Sequence, residues 1–306
     1  MCSARPCRPA AAPWVDPRRR VIWRGIPAGD YACRMTWFGG TVSIDRNETR
    51  ALNNRSHPVY ALPTRRHPAA ANGEKPTMAN VVLLHGAYQG GWIWQNVTPH
   101  LRAAGHNVFA PSLDGCGERR HALRLGIDTE SQAAEVAEML FFEDLKDIVL
   151  VGTSCGGMVG CRVAEIARDR IGRVVLADAL ALFNGESVGD HVKRPTAVGD
   201  ALSTGPSRED AANRMFISLP EPIKSWALDR YTPHPIAAMQ APVKLASFWQ
   251  QSWKASVIWC KQSVNPPVSH QRRAQETLKA SWHELDTGHY PMLTEPEKLA
   301  KLIMAG

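Results

Sequence analysis

The chain has no apolar run long enough to cross a membrane as a helix, which excludes a helical membrane span. It also lacks the continuous apolar core of a secretory signal. Arg18-Arg19-Arg20 is followed by only a few apolar-leaning residues before Arg24, so a twin-arginine export signal is not expected. Its seven cysteines include no CxxC pair and no zinc spacing. That excludes a zinc ribbon or finger, and neither a metal nor an organic cofactor is implied. Reduced thiols and a cytoplasmic protein are the expectation.

What is present is unevenly distributed. Residues 1–77 carry 13 Lys+Arg against 5 Asp+Glu, whereas the rest of the chain is close to neutral. The overall charge of +7 therefore belongs to the first quarter of the chain. This segment has no sustained helical or alternating period and is rich in Pro and Arg. It reads as a disordered or non-native extension, with Met78 expected as the natural start, and not as a nucleic-acid or membrane arm. Residues 78–306 are enough for one substantial core.

From Val81 onward, strand and helix signals alternate. Short apolar runs at 81–84, 108–110, 148–151, 174–177, 257–260 and 282–285 read as buried parallel strands. Helical stretches lie between them at 94–104, 130–141, 156–168 and 270–279. A capping box, Thr294 with Glu297, opens the last helix. Such alternation implies a mostly parallel sheet with helices on both faces. It breaks once, over about 181–255, in a stretch punctuated by prolines and loaded with bulky apolar residues. That stretch is expected to form a helical cap over a pocket.

The chemistry begins at Gly152-Thr153-Ser154-Cys155-Gly156, a G-x-S-x-G sequence with an apolar strand before it and a helix after it. A strand entering a helix through so tight a turn lifts the central side chain clear of the backbone, as in a nucleophile elbow. A serine hydroxyl needs a base. His289, in Asp286-Thr287-Gly288-His289-Tyr290-Pro291-Met292, follows the last strand at the same sheet edge and is the candidate. An acyl-transfer intermediate needs two N–H donors. Cys155, directly after the serine, supplies one. Ala87 supplies the other, from the loop His85-Gly86-Ala87-Tyr88-Gln89-Gly90-Gly91-Trp92. The glycines of that loop follow neither dinucleotide nor P-loop spacing, so a nucleotide reading is weak.

These motifs, with Pro111-Ser112-Leu113-Asp114-Gly115-Cys116-Gly117 and Gly156-Gly157-Met158, resemble the α/β-hydrolase fold. The similarity is to its compact branch of plant methylesterases, hydroxynitrile lyases and bacterial esterases. It runs from Met78 to the C-terminus. Around His85–Trp92 and Gly152–Gly157 the chain is also similar to bacterial carbendazim-hydrolysing esterases, which split a methyl carbamate from a benzimidazole. The chain departs from the family pattern at the acid. The usual place, after the strand at 257–260, reads Lys261-Gln262-Ser263-Val264-Asn265 and holds no carboxylate. Either Asp178, directly after the strand at 174–177, orients His289, or a neutral residue, Ser263 or Asn265, does so.

The resemblance implies a serine hydrolase for a small apolar or aromatic ester or methyl carbamate, with His85, Tyr88, Trp92 and Trp226 expected around the substrate. Trp94 is a further aromatic candidate. A lyase on the same scaffold, with Lys261 holding a leaving anion, and a non-catalytic ligand receptor are the competing readings.

Overall fold

Among the described residues the backbone runs through nine strands, of which six make the main sheet. In chain order they are β1 (Asn80–Leu84), β2 (Asn107–Phe109), β3 (Ile148–Ser154), β4 (Ile171–Ala179), β5 (Val198–Gly199), β6 (Ser203–Gly205), β7 (His234–Pro235), β8 (Ala255–Cys260) and β9 (Ser281–Leu285). This computed structural model describes residues 78–192 and 198–305. The expected basic extension at 1–77 lies outside the described residues.

The main sheet has the order β2-β1-β3-β4-β8-β9, and every neighbouring pair in it is parallel. The helices are α1 (Thr98–Ala103), α2 (Thr129–Phe142), α3 (Cys155–Ile166), α4 (Arg208–Asp210), α5 (Ile223–Arg230), α6 (Ile236–Gln240), α7 (Val268–Leu278), α8 (Pro291–Thr294) and α9 (Pro296–Met304). Successive strand residues point to opposite faces. Val82, Leu84, Leu150, Val174 and Leu176 pack on one face with α2, α3 and α7. Val81, Leu83, Val151, Val175 and Ile258 pack on the other with α1 and α9. In the four central strands, β1, β3, β4 and β8, both faces are largely buried, which is why these read as unbroken apolar runs. This is the α/β-hydrolase architecture that the motifs imply.

Two local expectations are corrected. Thr294 does not cap the last helix. It closes α8, and Glu295 precedes α9 without any side-chain cap bond. Pro291 and Pro296 each start a helix, so the turn expected at Thr294 falls inside the first of them. The Thr294 hydroxyl points inward instead, 2.7 Å from the Thr287 hydroxyl, and braces the loop that carries His289.

The stretch between β4 and β8 is less helical than expected. Among its described residues it holds a small antiparallel sheet, β5-β6-β7, and short helices, the longest being α5 with 8 residues. Pro220, Pro222, Pro233, Pro235 and Pro242 each remove a backbone donor and bias the preceding residue away from helix. Phe216 and Phe248 are fully buried there, Phe216 against Tyr290 and Phe248 against Trp253.

Candidate active site

The strand order dictates where a site can form. From β1 the chain moves outward to β2, then returns to the other side of β1 for β3. The loops leaving β1 and β3 therefore diverge, and a crevice opens between them at the carboxyl ends of the strands. Ser154 ends β3 beside this crevice. Its backbone is left-handed, with φ 49° and ψ −131°, the strained turn that projects the hydroxyl. Gly156 is needed for the close approach of α3 to β1. A Cβ there would lie 2.5 Å from the carbonyl oxygens of both Leu84 and His85. Cys155 is the first residue of α3, so its N–H stands at the positive end of a 12-residue helix.

The loop after β1 is held by its own side chains. His85 is fully buried. Its Nε2 accepts the Leu113 N–H at 2.9 Å, which puts the ring proton on Nδ1, and Nδ1 donates to the Gly86 carbonyl at 2.8 Å. Burial holds the His85 imidazole down to about 4, far below its ordinary value. Across a trans peptide, C=O and N–H point in opposite directions. Turning the Gly86 carbonyl toward His85 therefore turns the Ala87 N–H away from it. The Gly86 N–H is fixed as well, donating to Gln89 Oε1 at 3.1 Å. Gly86 itself is required by proximity, since a Cβ there would stand 2.6 Å from the Cβ of Ser154.

Asp178 comes from an irregularity in β4. Thr153 pairs with Ala177 and Ser154 with Ala179, so Asp178 is an extra residue without a partner on β3. Its φ of 46° is left-handed, and a bulge of this kind re-aims a side chain. The carboxylate is completely buried. One oxygen lies 2.5 Å from His289 Nδ1, while the other accepts from the Cys260 N–H and the Gln271 amide, both at 3.4 Å. Ser263 and Asn265 are bonded to each other, the Ser263 hydroxyl donating to the Asn265 carbonyl at 3.2 Å, and neither is hydrogen-bonded to His289. Among the described residues no hydrogen bond joins Ser154 to His289, a contact often loose before substrate arrives.

Ala87, Tyr88, Gln89, Ser154, Cys155 and His289 line one cavity of about 550 Å³. Its remaining wall is mostly apolar and includes Leu180, Val188 and Met239. Ile217 and Val264 stand at its edge and are largely exposed. Of the four residues expected around the substrate, Tyr88 lines this cavity. His85, Trp92 and Trp226 do not. His85 is consumed in bracing Gly86. Trp92 and Trp226 pack edge to face on one another at 5.2 Å, against the apolar face that holds α1 and α9. Trp94 is fully buried there as well. Lys261 is exposed, and no lysine stands among the described residues lining the cavity. Gln89 was not singled out by the sequence; its signal was its place within the loop that carries Ala87. Among the described residues no cluster of three His, Cys, Asp or Glu could hold a metal, and no helix is long and apolar enough to cross a membrane.

Comparison with known proteins agrees with this architecture. The sequence pattern described as the Alpha/beta hydrolase family matches residues 81–302. A carbendazim hydrolyzing esterase of Nocardioides sp. (strain SG-4G) is 29% identical over 243 residues, covering 74% of this chain and 99% of that protein. Methylesterase 3 of Arabidopsis thaliana is 26% identical over 261 residues, covering 76% and 97%. Among solved structures, polyneuridine aldehyde esterase is similar with a TM-score of 0.62 and 22% identity, covering 74% of this chain and 98% of that one, a likeness of fold.

Proposed function

The chain belongs to the alpha/beta hydrolase family, and we propose that it is a serine esterase that cleaves small apolar or aromatic carboxylic esters or methyl carbamates through an acyl-enzyme. The observation that carries this reading is the contact of buried Asp178 with half-buried His289, 2.5 Å apart, with His289 and Ser154 on the wall of one cavity. Ser154 Oγ attacks the scissile carbonyl while His289 takes its proton, and Asp178 holds the ring in the required tautomer and offsets its positive charge. The N–H groups of Ala87 and Cys155 receive the oxyanion. His289 then protonates the departing alcohol, which is methanol for a methyl carbamate. Water, deprotonated by His289, releases the acyl group and restores Ser154.

Leu180, Val188, Met239 and the other apolar residues that make up most of the wall, which also carries Asp210 and Arg214, support a largely apolar substrate, and the 29% identity to a carbendazim hydrolyzing esterase supports the carbamate branch of the reading. A cap formed by about 181–255 closes the pocket from above the strand ends. Cys116, Cys161 and Cys260 are buried thiols outside any disulfide, which supports a reducing, cytoplasmic setting. The test is a panel of methyl esters, aryl esters and methyl carbamates, run on wild type and Ser154→Ala alongside labelling by a fluorophosphonate probe. Wild type is expected to turn over members of the panel and take the label, and Ser154→Ala to do neither. Full activity of Ser154→Ala on any good substrate overturns the mechanism.

A further inference from the structure

Gln89 carries a polar group that neither the fold nor the mechanism above uses. The residue is only 2% exposed, yet it lines the cavity. Its amide is oriented without ambiguity. The Gly86 N–H can bond only to an acceptor, so the atom 3.1 Å away is the carbonyl oxygen, Oε1. Its Nε2 group, with two N–H donors, makes no hydrogen bond to another described residue and is not sealed in the core, so it is open to the cavity that Gln89 lines. A donor at a cavity wall is covered when a substrate binds, and covering it without supplying an acceptor is costly. Gln89 is also fixed close to the reaction centre, because the glycine it holds is the one whose Cβ would collide with Ser154.

We propose that Gln89 Nε2 is a substrate-binding donor that selects esters bearing a neutral hydrogen-bond acceptor, an aromatic nitrogen or a carbonyl or ether oxygen, beside the scissile carbonyl. This rests on the esterase reading for the placement of that carbonyl. The acceptor completes the amide's hydrogen bonding, and a substrate without it leaves the donor buried and unmatched. A site built to bond a polar group discriminates against the analogue lacking it more strongly than an apolar pocket discriminates by size. Gln89 thus acts twice: its oxygen holds the loop that aims Ala87, and its nitrogen reads the substrate.

The test uses methyl benzoate and methyl picolinate, which differ by one ring C–H replaced by nitrogen next to the ester. Dissociation constants are measured for both in Ser154→Ala, so that no chemistry is involved, and again after adding Gln89→Met or Gln89→Glu. Met removes both ends of the amide. Glu keeps an acceptor for the Gly86 N–H and removes the amide donor. The picolinate is expected to bind about tenfold tighter than the benzoate when Gln89 is present, the size of one buried hydrogen bond. That preference is expected to vanish in both double variants, and because each ratio is taken within one protein, a general loss of affinity cancels. An equal preference with and without Gln89, no preference with Gln89 present, or binding of neither ester overturns the proposal. Turnover of the same two esters by wild type reports separately on the esterase reading.

Discussion

Asp178 sits in the register slip between β3 and β4, and from that slip its carboxylate reaches His289 Nδ1 at 2.5 Å. The bulge places the acid one strand earlier than the habitual position after β8. Asp178→Asn is expected to lower kcat by about 10⁴-fold, because the amide favours the wrong ring tautomer. Ser263→Ala and Asn265→Ala, at cavity-lining positions that are half-buried and exposed and not hydrogen-bonded to His289, are expected to change kcat by no more than about twofold. Thermal unfolding of each variant separates lost chemistry from lost fold. Near-normal turnover in Asp178→Asn would return the orienting role to a neutral residue.

Gly86→Ala introduces a methyl group that meets Ser154 Cβ at 2.6 Å. Neither partner is the end of a flexible side chain, so the nucleophile must move. A displacement of this kind is expected to cost about 100-fold or more in kcat. Steady-state kinetics and the rate of fluorophosphonate labelling should fall together. Retention of both would show that the loop after β1 yields more easily than its hydrogen bonds imply.

Trp92 and Trp226 pack on one another and do not line the cavity. Trp92→Ala should therefore act on stability and leave substrate binding alone. The expected loss is about 2 kcal/mol, less than for a fully buried tryptophan, with KM within about twofold of wild type. Urea unfolding and kinetics on an aryl ester check the two halves. A large rise in KM with stability unchanged would put the indole in the pocket.

His85 and His270 give the protein an acid limit. Each uses Nε2 to accept a backbone N–H, from Leu113 and Ala181 respectively, and burial holds both at about 4. Between the ordinary histidine value near 6.5 and about 4, the unfolded chain binds protons that the native state does not. Native stability is therefore full above about 6.5 and declines as pH falls, by on the order of 3 kcal/mol per histidine at pH 4. Urea unfolding at pH 7 and pH 4.5 measures the decline. In His270→Gln, which keeps an acceptor without a titrating ring, the same step in pH should cost less. Equal stability at the two pH values in wild type would remove both histidines from the argument.

The centre of the sheet was legible because β1, β3, β4 and β8 are largely buried on two faces and therefore lack the alternation that makes other strands ambiguous. Ser154 and His289 were legible for a related reason. Each lies directly after a readable strand, so parallel topology alone brings them to one edge. Asp178 could be named only as an option. A left-handed φ at an aspartate leaves no composition signal, and the bulge exists only against its partner strand. The tryptophans misled for the opposite reason: Trp92 and Trp226 are aromatic and near the motifs, but what an indole faces depends on packing between elements distant in sequence. His85 was misassigned because its place in a loop motif does not tell a bracing side chain from a substrate-facing one. Its two backbone bonds do.

The proposed catalytic groups are drawn from the end of β3, the bulge in β4 and the loop beyond β9, and β9 is an edge strand. His289 meets an acid 111 residues before it in the chain. No contiguous piece of the sheet short of its final strand can hold the three together. On the proposed mechanism, hydrolysis during refolding is expected no earlier than the docking of β9. Turnover in this protein doubles as a readout of whether the outermost strand is in place.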